Sequence, residues 1–257
     1  MRNILFVGFA CAMLAGQATA AEKVVLEADD DYAPYSYVEK GQHKGIYVDF
    51  LKKVAEKLAP AYEVSLQPVP WKRGLQNLEK GDSLALFPPY FNKERKFIQP
   101  YSTPLFRETV VLFCTDEVMK TPRKNFPDDF AGLTIGINLG FALGEKMVSA
   151  AKSGKIKTEE VKGNEANIKK LNAGRIGCYA NDRMSVIHSA KGLRSDPEFK
   201  NFKLHEAVEL SGEDAFIGYS VTNNASYKAD FIAKMNTAIE DAKKAGVLTK
   251  LIADYSK

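Results

Sequence analysis

Two α/β lobes joined by two crossings of the chain are what this sequence predicts. Three observations carry the prediction. Short apolar runs alternate with helix-patterned stretches in two successive sets, residues 23–87 and 133–190. A strongly apolar strand over 108–115 lies between the sets, and a late strand over 214–221 returns the chain toward the first. At 257 residues the chain is long enough for two lobes of roughly 100 residues each.

Residues 1–20 read as a secretory leader. Arg2 supplies the positive end, residues 4–15 the apolar run and Ala18-Thr19-Ala20 the small-residue cleavage site. The mature chain would start at Ala21, outside the cytoplasm. Cys11 in a lipid-modification motif is the alternative, and Gly8-Phe9-Ala10 is a poor approach to one. The apolar run is too short to span a bilayer. Lys plus Arg number 36 against 32 acids, without a basic run, so nucleic acid is not expected as a partner. After the leader only Cys114 and Cys178 remain. An even count in an exported chain favours a bridge over two buried unpaired thiols. No histidine or further cysteine stands at metal-ligand spacing, and neither a metal nor a cofactor is expected.

In chain order, residues 23–27 (K-V-V-L-E) predict the first strand, which opens into the acidic and aromatic loop Asp29-Asp30-Asp31-Tyr32. Residues 39–44 read as a polar turn around Gly41. Residues 49–58 predict a helix with Phe50, Leu51, Val54 and Leu58 on one face, ended by Pro60. Residues 62–68 predict a second strand. Trp71, the only tryptophan, precedes a helix over 72–80 that Gly81 ends.

Leu84-Ala85-Leu86-Phe87 then reads as a buried strand, stopped by Pro88 and Pro89, which cannot donate to a sheet ladder. Tyr90 and Phe91 follow. Asn92 is read as the cap of one helical turn, 93–97, that carries Arg95 beside the strand's carboxyl end. In open α/β sheets small ligands bind at that edge. A guanidinium among aromatic rings there is a receptor for a carboxylate; the alternative is a surface arginine on a solvated turn. The second set runs as a strand over 133–138, a helix from Gly140 to 151, a strand over 159–162 and a helix over 166–172. It continues with a strand over 175–180 ending at Asn181-Asp182, and a helix over 184–190. Helices over 225–245 and 247–255 close the chain.

Taken together these pieces resemble the bacterial solute-binding proteins of family 3, the periplasmic amino-acid binding proteins of ABC importers. Asp29-x-x-Tyr32-Ala33-Pro34-Tyr35 is similar to the family's D-x-x-Y-P-P-F, and Gly45-Ile46-Tyr47-Val48-Asp49 to its G-F-D-V-D. Glu94-Arg95 followed by Tyr101-Ser102-Thr103-Pro104 resembles its E-R and F-S-x-P-Y. Gly174-Arg175-Ile176-Gly177, leading to Asp182, resembles its G-R-I-D strand. The resemblance implies a type II periplasmic binding protein fold, with residues 21–111 and 215–257 as lobe one and 112–214 as lobe two. Each lobe would be a mixed sheet flanked by helices. The resemblance also implies a ligand site between the lobes: Arg95 for a carboxylate, Asp182 for an ammonium, Tyr32 and Trp71 as a sandwich, and Asp29 for the ligand's side chain. In that fold the strands of Cys114 and Cys178 are neighbours, which supports the bridge. A monomer and an ABC importer permease as partner follow from the same resemblance.

The departures define the expected ligand. Pro88, Pro89 and Tyr90 stand where the family has hydroxyl residues, and Gly140-Phe141-Ala142 stands for its G-S-T. Rings replace donors, and a polar ligand group left unpaired there would cost about 1–3 kcal/mol. The amides after Gly140, at a helix start, remain as donors for an anion. The expected ligand is a small carboxylate-bearing molecule with an apolar or aromatic part. An enzyme on the same fold, similar to cyclohexadienyl dehydratases, and a sensing co-protein of a membrane receptor are the alternatives. The chain has no G-x-S-x-G, H-E-x-x-H or phosphate-binding glycine loop, and a non-enzyme is expected.

Overall fold

The computed structural model describes residues 20–256, so the leader reading lies outside the described residues apart from Ala20. The first sheet is laid down early. β1 (Glu22–Asp29) is followed by a small three-stranded sheet of β2 (Asp31–Tyr32), β3 (Ser36–Glu39) and β4 (Gln42–Lys44). The stretch read as a polar turn is therefore a hairpin. Lys40 and Gly41, with φ of 51° and 76°, form the two-residue turn whose positive dihedrals match strand twist.

Helix α1 (Ile46–Glu56) begins at Gly45, where a Cβ would lie 2.4 Å from the Tyr35 carbonyl. Only glycine allows that approach, and it ties the helix start to the Tyr32–Tyr35 turn. Strand β5 (Tyr62–Val69), helix α2 (Trp71–Lys80), β6 (Ala85–Phe87) and β7 (Ile98–Tyr101) complete the early part. Gly81 caps α2 in the left-handed region, as its sequence position predicts.

The chain then crosses on β8 (Phe106–Cys114). The second body contains α3 (Asp116–Met119), β9 (Thr134–Asn138), α4 (Gly144–Lys152), β10 (Lys157–Val161), α5 (Asn164–Asn172), β11 (Cys178–Asp182) and α6 (Arg183–Leu193). It returns on β12 (His205–Ala215), pairs β13 (Gly218–Ser220) into the first sheet, and ends in α7 (Lys228–Lys244) and α8 (Val247–Tyr255). The strand orders are β5-β1-β6-β13-β7 and β10-β9-β11-β8-β12. In each sheet three neighbouring strands run parallel, and the remaining two are added through antiparallel pairings. The parallel strands aim their carboxyl ends at the seam between the bodies, which puts Asp29, Trp71, Tyr90, Gly140 and Asp182 on facing edges.

Three sequence expectations change. Residues 93–97 form overlapping turns, with Arg95 N bonded to Asn92 O and Ile98 N to Arg95 O, because Pro100 and the onset of β7 leave no room for a helix. Helix α4 starts at Gly144 rather than after Gly140, and Phe141 N donates to Asn138 O in a turn. The strand predicted over 214–221 is two pieces, and β12, an eleven-residue strand paired along β8, is longer than anything read there. Cys114 and Cys178 are register partners on β8 and β11 and are disulfide-bonded. Closing a loop of 64 residues, the bridge stabilises the second body by about 4 kcal/mol on the chain-entropy model.

Candidate functional site

The seam between the bodies has two chemically different ends. The first is built around Arg95, held half-buried by the turn that follows Tyr90. Its Nη2 donates across the seam to the Gly140 carbonyl at 2.6 Å, and its guanidinium lies 5.9 Å from the Trp71 ring. Trp71 Nε1 donates to the same carbonyl at 3.1 Å. Burial pulls the guanidinium's pKa below its ordinary value, and no carboxylate among the described residues pairs with it. It stays charged at neutral pH all the same.

A cavity of about 20 Å³, room for about one water, lies beside it. Asp29, Tyr32, Trp71, Tyr90, Arg95, Phe141 and Ala142, all named from the sequence, line it together with Pro88. Phe141 is one of its walls. Its ring meets Tyr32 and Trp71 edge to face at 5.3 and 5.8 Å. Pro89 stands one residue off: its carbonyl accepts from Phe216 N and its ring packs toward Gly218, so Pro88 takes the lining place. Gly140 contributes its carbonyl, while its N–H is bonded to Glu160 Oε2. The Gly140 and Phe141 amides are therefore already bonded, and helix α4 begins only at Gly144. Burial raises the Asp29 carboxyl to about 8, so this end holds a neutral acid near a cation.

The second end was not read from the sequence. Glu108, the third residue of β8, is 1% exposed, and the hydroxyls of Tyr32, Tyr47 and Tyr90 all converge on its carboxyl. Tyr32 and Tyr90 also touch each other at 3.1 Å between hydroxyls. Burial first, and then the neighbouring Asp182 charge, raise Glu108 to about 8. Asp182 is separated from Arg95 by this cage and does not line the Arg95 cavity. It caps α6 through Ser185 N at 2.8 Å and accepts from Thr109 N at 3.1 Å and Tyr35 OH at 3.0 Å. Burial raises it to about 6, against the lowering pull of the bonds from Ser185 N, Tyr35 OH and Thr109 N. The sequence-predicted acid is thus brought to the seam but not into one pocket with the sequence-predicted arginine.

Two sheets facing across a seam, crossed twice by the chain and bearing ligand-type groups on the facing strand ends, define the type II periplasmic binding protein fold. Residues 24–257 match the bacterial extracellular solute-binding proteins, family 3, and the chain belongs to that family. Among solved structures it is similar to an ancestral arginine-binding protein bound to arginine, with TM-score 0.74 and 19% identity over 92% of this chain and 99% of that one. It is similar to an ancestral amino acid-binding protein described as a precursor of cyclohexadienyl dehydratase, with TM-score 0.71 and 20% identity over 91% and 96%. A third is AbpA, the substrate-binding protein of an amino acid ABC transporter from Streptococcus pneumoniae, bound to L-arginine, with TM-score 0.70 and 18% identity over 91% and 94%. No curated protein matches the sequence.

Proposed function

We propose that this protein captures a small carboxylate-bearing molecule with an apolar or aromatic part between its lobes and hands it to an ABC importer. The observation that carries the reading is Arg95: a half-buried guanidinium in the seam, beside an indole face, whose bond across the seam is to a carbonyl rather than to an anion. A carboxylate would exchange that carbonyl for a charge-assisted bidentate partner. Trp71, Tyr32, Tyr90 and Phe141 offer ring faces to the rest of the guest. Only about 20 Å³ is free with the lobes together, so entry requires the lobes to part or Phe141 to swing out. Closure is then a shift between open and closed populations, driven by contacts made only when closed.

In this reading residues 21–111 and 215–257 move against 112–214, the chain works as a monomer outside the cytoplasm after loss of residues 1–20, and a permease reads the closed form. It binds and does not catalyse. Of the two seam acids that burial raises to about 8, Glu108 is enclosed by three tyrosines and does not line the Arg95 cavity, and Asp29, which does line it, acts as a ligand contact. Turnover of a cyclohexadienyl acid by the purified protein would reverse that choice.

The test is thermal melting of the mature protein against amino acids, aromatic acids and polyamines, because a bound guest raises the midpoint by mass action. Arg95→Ala is expected to weaken the responding ligand by roughly 2–5 kcal/mol, mostly by leaving its carboxylate unpaired. Unchanged affinity in that variant removes Arg95 from the site.

A further inference from the structure

A second cavity, of about 370 Å³, opens on the far side of the Tyr35–Asp182 contact, where β8 begins. Its walls come from both lobes: Tyr35 and Tyr255 from one, the first turns of α6 from the other, and Phe106 and Arg107 from the crossing strand between them. That volume is in the range of sites that enclose small organic molecules.

The walls are mainly apolar. Ile187, on α6, is half exposed at 50%, and it lines this space with Met184, Phe106 and the Tyr255 ring. Large apolar side chains left in a concave, two-lobed site mark a place where another apolar surface settles. The charges on the walls are one-sided. Arg107, Arg183 and Lys191 bring three cations. Arg183 is tied to Glu206 and Glu209, whereas Arg107 reaches Asp214 only at 3.5 Å with its side chain 66% exposed. The one carboxyl in the wall, Asp182, has its oxygens taken by Tyr35, Thr109 and Ser185. It offers little to a ligand's ammonium.

From the apolar walls of Met184 and Ile187, the loosely held Arg107 and the committed Asp182, we infer that this cavity is a second ligand site. It takes an amphipathic anion: a flat or branched apolar body carrying one carboxylate or sulfonate. The body lies against Ile187, Met184 and Phe106, and the anionic group faces Arg107. The site is independent of the Arg95 cleft, from which the tyrosine cage around Glu108 separates it.

The probe is naphthalene-1-sulfonate, titrated calorimetrically into the mature protein, with 1-naphthalenemethanol as its uncharged counterpart. Saturable one-to-one binding of the sulfonate is expected, with the alcohol clearly weaker. Arg107→Glu and Ile187→Glu change exposed side chains, so the fold survives them. Each is expected to weaken the sulfonate about tenfold or more, the scale of one lost charge-assisted or apolar contact. Arg95→Ala is expected to leave this binding as it is. Three results overturn the inference: no saturable binding; loss of binding in Arg95→Ala with Arg107→Glu and Ile187→Glu intact, which puts the probe in the cleft; or alcohol binding equal to sulfonate binding, which removes the anion.

Discussion

The arginine end and the carboxyl end of the seam share a wall and differ in almost everything else. Tyr32 and Tyr90 line the Arg95 cavity with their rings and turn their hydroxyls to Glu108 behind it. On the arginine side, inside a rim of mostly exposed ion pairs, the lobes meet through one carbonyl and ring edges, contacts that part without leaving a charge stranded. On the carboxyl side hydroxyls from three separate segments of the first lobe converge on one acid of the crossing strand. Glu108 and the three tyrosines all lie within residues 21–111, so these bonds tie the head of the crossing strand to the first lobe and stay made when 112–214 moves. If the lobes part as proposed, the difference puts the opening at the arginine end and the pivot at the carboxyl end.

The largest effect that tests this contrast is expected from Glu108. Glu108→Ala leaves three buried tyrosine hydroxyls without their partner, at about 1–3 kcal/mol each. It should lower the urea midpoint far more than any single change at the arginine end, and Glu108→Gln should restore most of the loss. If Arg95→Ala destabilises the ligand-free protein more than Glu108→Ala does, the pivot lies elsewhere. A pH profile reads the same feature. Burial holds Glu108 and Asp29 at about 8 and Asp182 at about 6 in the folded chain. The folded state therefore keeps protons that the unfolded state releases near pH 4 to 4.5. Stability is full below that value and falls as pH rises, by at most about 1.4 kcal/mol per pH unit per group. Asp182's share ends near pH 6, and that of the other two near pH 8. Urea midpoints should drop from pH 5 to pH 8, and Glu108→Gln should flatten the slope. A rising midpoint over that window would mean that these acids are ionised when folded.

A smaller effect is expected at Phe141. Phe141→Ala removes two edge-to-face contacts, worth about 0.5–1.5 kcal/mol each beyond area. It should soften the arginine end alone: a modest fall in the urea midpoint, the same slope with pH, and a melting response shifted toward bulkier aromatic acids. A changed pH slope in this variant would mean that the two ends do not act separately.

The arginine end was largely legible in the sequence and the carboxyl end was not, for a physical reason. Arg95, Tyr90 and Trp71 each follow a strand or start a helix, and strand ends are readable from prolines, glycines and apolar runs. Glu108 stands near the head of an apolar strand, where an acid ordinarily faces water. Its partners come from positions 32, 47 and 90, and only tertiary packing gathers them. Strand β12 escaped for another reason. Register shifts between Glu206 and Val208 and between Glu209 and Ser211 break its alternation, so no period of two survives in the sequence. The helix expected after Gly140 was misread because residues 140–143, between the end of β9 and the start of α4, form an irregular turn whose Phe141 belongs to the cleft rather than to a helix. Asp182, expected from the resemblance to take a ligand's ammonium, lies at the seam, where capping α6 commits one of its oxygens.

The smallest effect separates rings from charges at the arginine end. Three ion pairs bridge the lobes around its mouth: Lys93 with Glu145 at 2.7 Å, Lys152 with Glu94 at 3.3 Å and Lys162 with Asp30 at 2.9 Å. Most of these side chains are more than half exposed, so solvent and salt screen them and their net hold on the lobes is weak. If the guanidinium and the rings hold this end, the triple variant Lys93→Ala, Lys152→Ala, Lys162→Ala should keep the radius of gyration of the wild-type protein in small-angle scattering. Raising the salt should leave that radius unchanged as well. An expansion in both cases would assign lobe closure to the rim, and Arg95 would then be a reader of the ligand without being a clasp between the lobes. A constant radius would leave the salt dependence to the rate at which an anionic guest finds the mouth, since screened charges steer encounters more than they hold complexes together.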